Sequence, residues 1–217
     1  MNNSLDLASL LCSRLCHDML SPVGALSNGL ELLADEKDPE MRRQCFQLLE
    51  QSAKTAADKL KFFRLAFGAA GGFGDLVPVS EARAVVDALV GNNGRIAANW
   101  SLAGDSLPKA AVKTLLNLAM IGIEALVRGG TLDIGAEMRS SDGIGGASEI
   151  VVRAAGPKIA FDADVGRALD GSLPLSALSS RTAPAAMVRE LAERLGGGVQ
   201  FALSEEALVL GAVLPSR

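Results

Sequence analysis

The chain contains a single histidine, His17, and its neighbours make it the first candidate for chemistry. A neutral imidazole is a nucleophile at cellular pH because its pKa lies near neutrality. Held on a rigid helix, such a ring is already positioned, which is most of what phosphoryl transfer requires. Asp18 follows directly and is suited to orient or neutralise the ring. Pro22 stands five residues on, inside a strong helical pattern. There it removes a backbone donor and bends the helix, at a cost of about 3 kcal/mol in an ordinary helix. A lone histidine on a helix is ordinarily a surface residue without chemistry. The proline is what sets this one apart.

The element that positions His17 is legible in the apolar spacing. Leu7, Leu11, Leu15, Met19, Leu26, Leu30 and Leu33 recur at threes and fours and predict a helix from Ser4 to Ala34. At roughly 100° per residue the stripe centres near Leu15 and Met19, with His17 almost opposite and so facing solvent. Ser13, Ser21, Gly24 and Asn28 project to the same side, leaving room for another protein to approach closely, and Leu20 lies at its edge. Asp38-Pro39 opens a second helix, with Asp as N-cap and Pro at the first helical position. Met41, Cys45, Leu48, Ser52, Ala56, Leu60, Phe63 and Phe67 carry it to Gly68, the expected C-cap. Two antiparallel helices of about 30 residues, roughly 45 Å each, cannot cover both apolar stripes alone. A homodimer forming a four-helix bundle is the expectation.

Composition bounds the rest. The 217 residues are 49% hydrophobic but only 4% aromatic, without a tyrosine, which suits Ala/Leu-rich helices better than an all-β sandwich. A net charge of -4 and the lack of a long basic block argue against nucleic acid. Cys12, Cys16 and Cys45 fall inside helical patterns and read as packing residues, with Cys12 and Cys45 near the bundle core. Neither a signal peptide nor a membrane span is expected, so the expected setting is cytoplasmic.

The Gly-rich stretch Gly68 to Gly74 separates a helical hairpin, residues 1–70, from an α/β region, residues 75–217. In the latter, Ser80 to Leu89, Pro108 to Val127 and Pro184 to Leu195 read as helices. Arg95 to Leu102, Thr131 to Arg139, Glu149 to Arg153, Val199 to Leu203 and Ala207 to Leu214 read as strands. Asp142-Gly143 is the expected turn, and Gly143 to Gly146 a hairpin loop rather than a phosphate cradle, since no helix opens after it. Trp100 is core or interface.

His17-Asp-Met-Leu-Ser-Pro22 resembles the H-box of sensor histidine kinases, His-(Glu/Asp)-x-x-(Thr/Ser)-Pro, at all its defined positions. In that family the histidine is phosphorylated, the adjacent acid assists as a base, and two hairpins form the bundle. The second region is similar to the kinases' ATP-binding domain in decayed form. Asn117-Leu-Ala-Met-Ile-Gly122 lies where the N-box would, but its magnesium-ligating Asn aligns with Ile121. Ala154-Ala-Gly-Pro157 stands in place of the Asp-x-Gly-x-Gly box, and Ser180-Arg-Thr-Ala-Pro184 in place of the last glycine loop. A phosphoacceptor hairpin joined to a stripped ATP domain resembles the ChpT-type histidine phosphotransferases of alphaproteobacteria. Phe62 to Gly68 and Glu124 to Gly130 are similar to segments of that family.

The resemblance implies a helical hairpin forming a dimeric four-helix bundle, followed by a degenerate histidine-kinase ATPase-like α/β sandwich. It implies an ATP-independent phosphotransferase with His17 as phosphoacceptor and Asp18 as orienting residue or base. The partners implied are receiver domains: a CckA-like donor and CtrA- and CpdR-like acceptors. No cofactor of its own is expected, the magnesium coming from the receivers. Arg14, Leu20, Ser21, Gly24, Asn28 and Glu31 are the expected docking residues, although a merely solvated Arg14 remains open. The rival readings are a non-catalytic pseudokinase that sequesters receivers and an autophosphorylating kinase with an atypical ATP site.

Overall fold

The computed structural model describes residues 3–68, 74–141 and 144–216. Helix α1 spans Asn3–Asp35 and runs unbroken through Pro22. Helix α2, Pro39–Ala66, begins as its sequence dictates: the Asp38 carboxylate accepts from the backbone N–H groups of Glu40 and Met41. Arg42 closes the other side of the connection, donating to the carbonyls of Leu33 and Glu36 at 3.0 and 2.9 Å, where α1 runs out of helical donors. The helices lie antiparallel. Gly29 marks a close approach, since a Cβ there would sit 2.8 Å from Leu49. The C-cap of α2 is Phe67 in right-handed conformation, not the expected Gly68.

The second region is an α/β sandwich, so the expected order of hairpin followed by sandwich is the one observed. Its five-stranded sheet has the order β2-β4-β5-β7-β6. These strands are β2 Ile96–Leu102, β4 Gly130–Ser141, β5 Ile144–Ala155, β6 Gly198–Leu203 and β7 Ala207–Pro215. Only β2 and β4 pair in parallel. Leu132, Ile134, Ile150, Val152, Leu208 and Leu210 point to one buried face. Helices α3 (Val79–Asn93), α4 (Lys109–Ala125) and α6 (Ala183–Arg194) supply the apolar layer they pack into. On the other face Asn99 and Arg153 both bond Asp133, at 2.8 and 3.0 Å.

Several elements differ from expectation. β4 and β5 are longer than their apolar cores suggested, and Ile144 to Gly146 belong to β5 rather than to a loop. Ladder hydrogen bonds continue outward past the apolar residues once the register is set. The expected turn at Asp142-Gly143 and residues 69–73 of the Gly-rich stretch lie outside the described residues. A two-stranded ribbon of β1 (Leu76–Pro78) and β3 (Ser106–Pro108), helix α5 (Ala163–Asp170) and a short 3-10 turn at Leu175–Ala177 were not expected. Three-residue strands carry too little alternation to be seen in a sequence. Cys45 is buried as expected, and Cys12 is exposed in the single chain, on an outward stripe with Cys16. Trp100 packs partly against the core and its indole N–H donates to Asp87 at 2.8 Å.

The hairpin is not merely tethered to the sandwich. Phe62, Phe63, Leu65 and Ala66, the last turns of α2, belong to the sandwich's own hydrophobic core. Near the start of α1, Leu7 packs with Ala183 and Met187 of α6. Both apolar contacts fall at the open end of the hairpin and hold that end against the second region, and His17 lies on the stretch of α1 beyond Leu7.

Candidate functional site

His17 sits where the helical periodicity places it. Its side chain is 80% exposed, while Asp18 beside it is only 18% exposed. His17 Nδ1 lies 3.0 Å from Asp18 Oδ1. The second oxygen of the same carboxylate, Oδ2, accepts from Arg14 Nε at 2.8 Å, one helical turn earlier. Lys59 of α2 reaches across the hairpin and donates to the main-chain carbonyl of Asp18 at 2.9 Å. Arg14 in turn pairs through its Nη2 with Glu124, at the end of α4. A line of charged groups thus runs from the second region through α1 to the imidazole.

The electrostatics decide the protonation pattern. Burial pushes the Asp18 carboxyl up. Hydrogen bonds from His17 and Arg14 and the charges of Arg14 and Lys59 outweigh it and hold the group below the usual carboxylate range. An ionised carboxylate only accepts, so the proton in the His17–Asp18 contact belongs to Nδ1. Nε2 then carries the lone pair, has no partner among the described residues, and faces solvent. Burial opposes the charge on Arg14, but Glu124 and Asp18 more than restore it.

The other expected site residues are distributed unevenly. Leu20 is 71% exposed beside the imidazole, and Ser21, Asn28 and Glu31 are exposed along the same helix. Gly24 is half-buried, and a Cβ there would meet nothing within 4 Å, so the space above it is open. Arg14 is placed differently from the expectation of a docking arginine. It is only 12% exposed and both ends of its guanidinium are engaged within the chain. Proximity in sequence suggested an outward side chain; the carboxylate pair drew it inward. Glu124 and Lys59 were not among the expected site residues.

The positions aligned with the kinase nucleotide boxes serve packing. Ile121 is 6% exposed in the core, and its alkyl chain cannot ligate a hard cation. Asn117 is fully buried and donates to the carbonyls of Lys113 at 2.7 Å and Ala66 at 3.4 Å, so it caps the end of α2. Pro184 and Ala183 are buried at the opening of α6, without glycine freedom to wrap a phosphate. Among the described residues, no group of three or more His, Cys, Asp or Glu side chains is placed to hold a metal.

Fold and site together define a helical hairpin with an outward histidine–carboxylate pair, docked on an α/β sandwich. The profile of the family described as histidine phosphotransferase C-terminal domain matches residues 79–207, and the chain belongs to that family. Over 140 residues it is 42% identical to the protein phosphotransferase ChpT of Brucella abortus (strain 2308). That match covers 64% of this chain and 65% of the relative, just under two thirds of the relative's length. A solved bacterial phosphotransferase is similar over 96% of both chains, with 33% identity and a TM-score of 0.81.

Proposed function

We propose that this chain is a histidine phosphotransferase of a phosphorelay, carrying a phosphoryl group on His17 between the aspartates of two receiver domains. The observation that carries the reading is the imidazole itself: exposed, with Nδ1 tied to an ionised carboxylate and Nε2 presented outward.

The chemistry balances without a base. In the first step the Nε2 lone pair forms the N–P bond as the P–O bond to the donor's aspartate breaks, and that aspartate leaves as a carboxylate. The ring keeps its Nδ1 proton and becomes a phosphoimidazolium, whose positive charge the Asp18 carboxylate stabilises. In the second step an acceptor carboxylate oxygen forms a P–O bond as the N–P bond breaks, and the ring returns to neutrality. Asp18, held below the usual carboxylate range, is a poor proton acceptor. Its role in this reading is to orient the ring and offset its charge.

Leu20, Ser21, Gly24, Asn28 and Glu31 are the receiver-docking surface of the proposal, and their openness around His17 supports it. Magnesium is supplied by the receivers' acidic pockets, and the decayed second region binds no ATP. The CckA-like donor and the CtrA- and CpdR-like acceptors rest on the family resemblance. The active form is a cytoplasmic homodimer; the exposed Leu5, Cys12, Val23 and Leu30 on one side of α1 support a four-helix pairing.

The test is incubation with the phosphorylated receiver domain of a hybrid kinase. Acid-labile, alkali-stable label on the wild type, and none on His17→Ala, is expected. Absence of label on the wild type would favour the sequestering pseudokinase. Micromolar binding of a nucleotide analogue with magnesium in a calorimetric titration would favour the kinase.

A further inference from the structure

Glu124 lies 110 positions from Arg14 and on a different part of the fold, yet the two side chains pair. Arg14 is the link that matters. Its guanidinium is a planar fork, so holding Nη2 on Glu124 fixes the direction in which Nε points. Nε points at Asp18 Oδ2. With Oδ2 held, the Asp18 carboxylate cannot rotate, and Oδ1 stays on the imidazole at 3.0 Å. Each oxygen of Asp18 is thereby assigned one nitrogen partner.

We propose that Glu124 is a positioning residue for the phosphoacceptor: through Arg14 and Asp18 it keeps His17 protonated at Nδ1 and its Nε2 free for attack. The proposal rests on the reading of His17 as the phosphoryl carrier. It gives the α/β region a part in the chemistry that does not involve a nucleotide. The region's docked position, with the end of α2 in its core and Leu7 against α6, brings the end of α4 up to Arg14 and keeps it there. The simpler alternative is an ion pair that only clamps the two regions together. The two differ in what happens to the ring.

Because His17 is the only histidine, the imidazole can be read directly in the full chain labelled with nitrogen-15. Long-range proton–nitrogen correlation spectra at a pH where the ring is neutral report which nitrogen carries the proton. The wild type is expected in the Nδ1–H form. Glu124→Ala is expected to move the ring toward the Nε2–H form that an unpartnered histidine favours. Phosphoryl uptake should then slow roughly tenfold, with receiver binding retained. Glu124→Gln, which still offers Arg14 an amide oxygen, should lie between the two. An unchanged tautomer in Glu124→Ala, with its amide spectrum showing a folded chain, overturns the proposal. If that variant does not fold, Arg14→Lys decides on the same readout, since one ammonium cannot hold both carboxylates in fixed directions. Failure of the wild type to take up phosphoryl would sink the functional reading instead, whatever the tautomer.

Discussion

Lys59 Nζ donates at 2.9 Å to the main-chain carbonyl of Asp18, the acceptor that Pro22, four residues on, leaves without its helical N–H. A proline in mid-helix normally bends the chain and abandons that carbonyl. Here the partner helix supplies the missing donor. The break in the ladder falls beside the imidazole, and the lysine that repairs it also helps keep the Asp18 side chain ionised.

Lys59→Met should therefore destabilise the chain by about 1–3 kcal/mol, through an unsatisfied, partly buried carbonyl. Pro22→Ala returns a backbone N–H to the same oxygen. In the double variant most of the Lys59→Met penalty should vanish, and urea denaturation of the four-member cycle measures that coupling.

His17→Ala should leave stability within about 0.5 kcal/mol of wild type, because the exposed ring buries almost nothing. Denaturation curves and the labelling assay on one preparation make the check. Loss of label with an unchanged midpoint assigns the defect to chemistry rather than to folding.

Asp18 has a folded-state pKa below its unfolded value, near 3.9. Such a group contributes stability above the unfolded pKa and loses that contribution as pH falls through the folded one. The stability gap between wild type and Asp18→Asn should not shrink between about pH 8 and about pH 5 and should close only in stronger acid. Denaturant titrations across that range test this. A gap that closes near neutrality would mean the carboxylate is not held as described.

Gly122 lies where α4 crosses the sheet, and a Cβ there would stand 2.7 Å from Leu132 Cδ1 and 3.3 Å from Val152 Cγ1. Gly122→Ala should cost about 1–3 kcal/mol by overpacking. It should also displace the end of α4, and with it Glu124, so the tautomer of His17 is a second readout.

If the outward stripe of α1 is the dimer face, Val23→Asp should convert the protein to monomer in sedimentation experiments without disturbing the hairpin's own packing. A wild type that sediments as a monomer at high concentration counts against the four-helix pairing.

The sequence by itself determined the hairpin, the outward direction of His17, the N-cap at Asp38 and the order of the larger strands and helices. Each depends on residues within a turn or two of one another, where periodicity and capping chemistry act. Even the backbone donor missing at Pro22 was local knowledge. What filled that vacancy was not local. Lys59 comes from the opposite helix, and Glu124 from the far side of the chain. Lys59 was placed by the packing of α1 on α2, and Glu124 by the packing of Leu7, Phe62, Phe63 and Ala66 between regions. The inward turn of Arg14 was likewise settled by tertiary structure, since an arginine beside an exposed histidine has no local reason to choose one side. Charges choose partners by distance in space, and only the folded chain sets those distances.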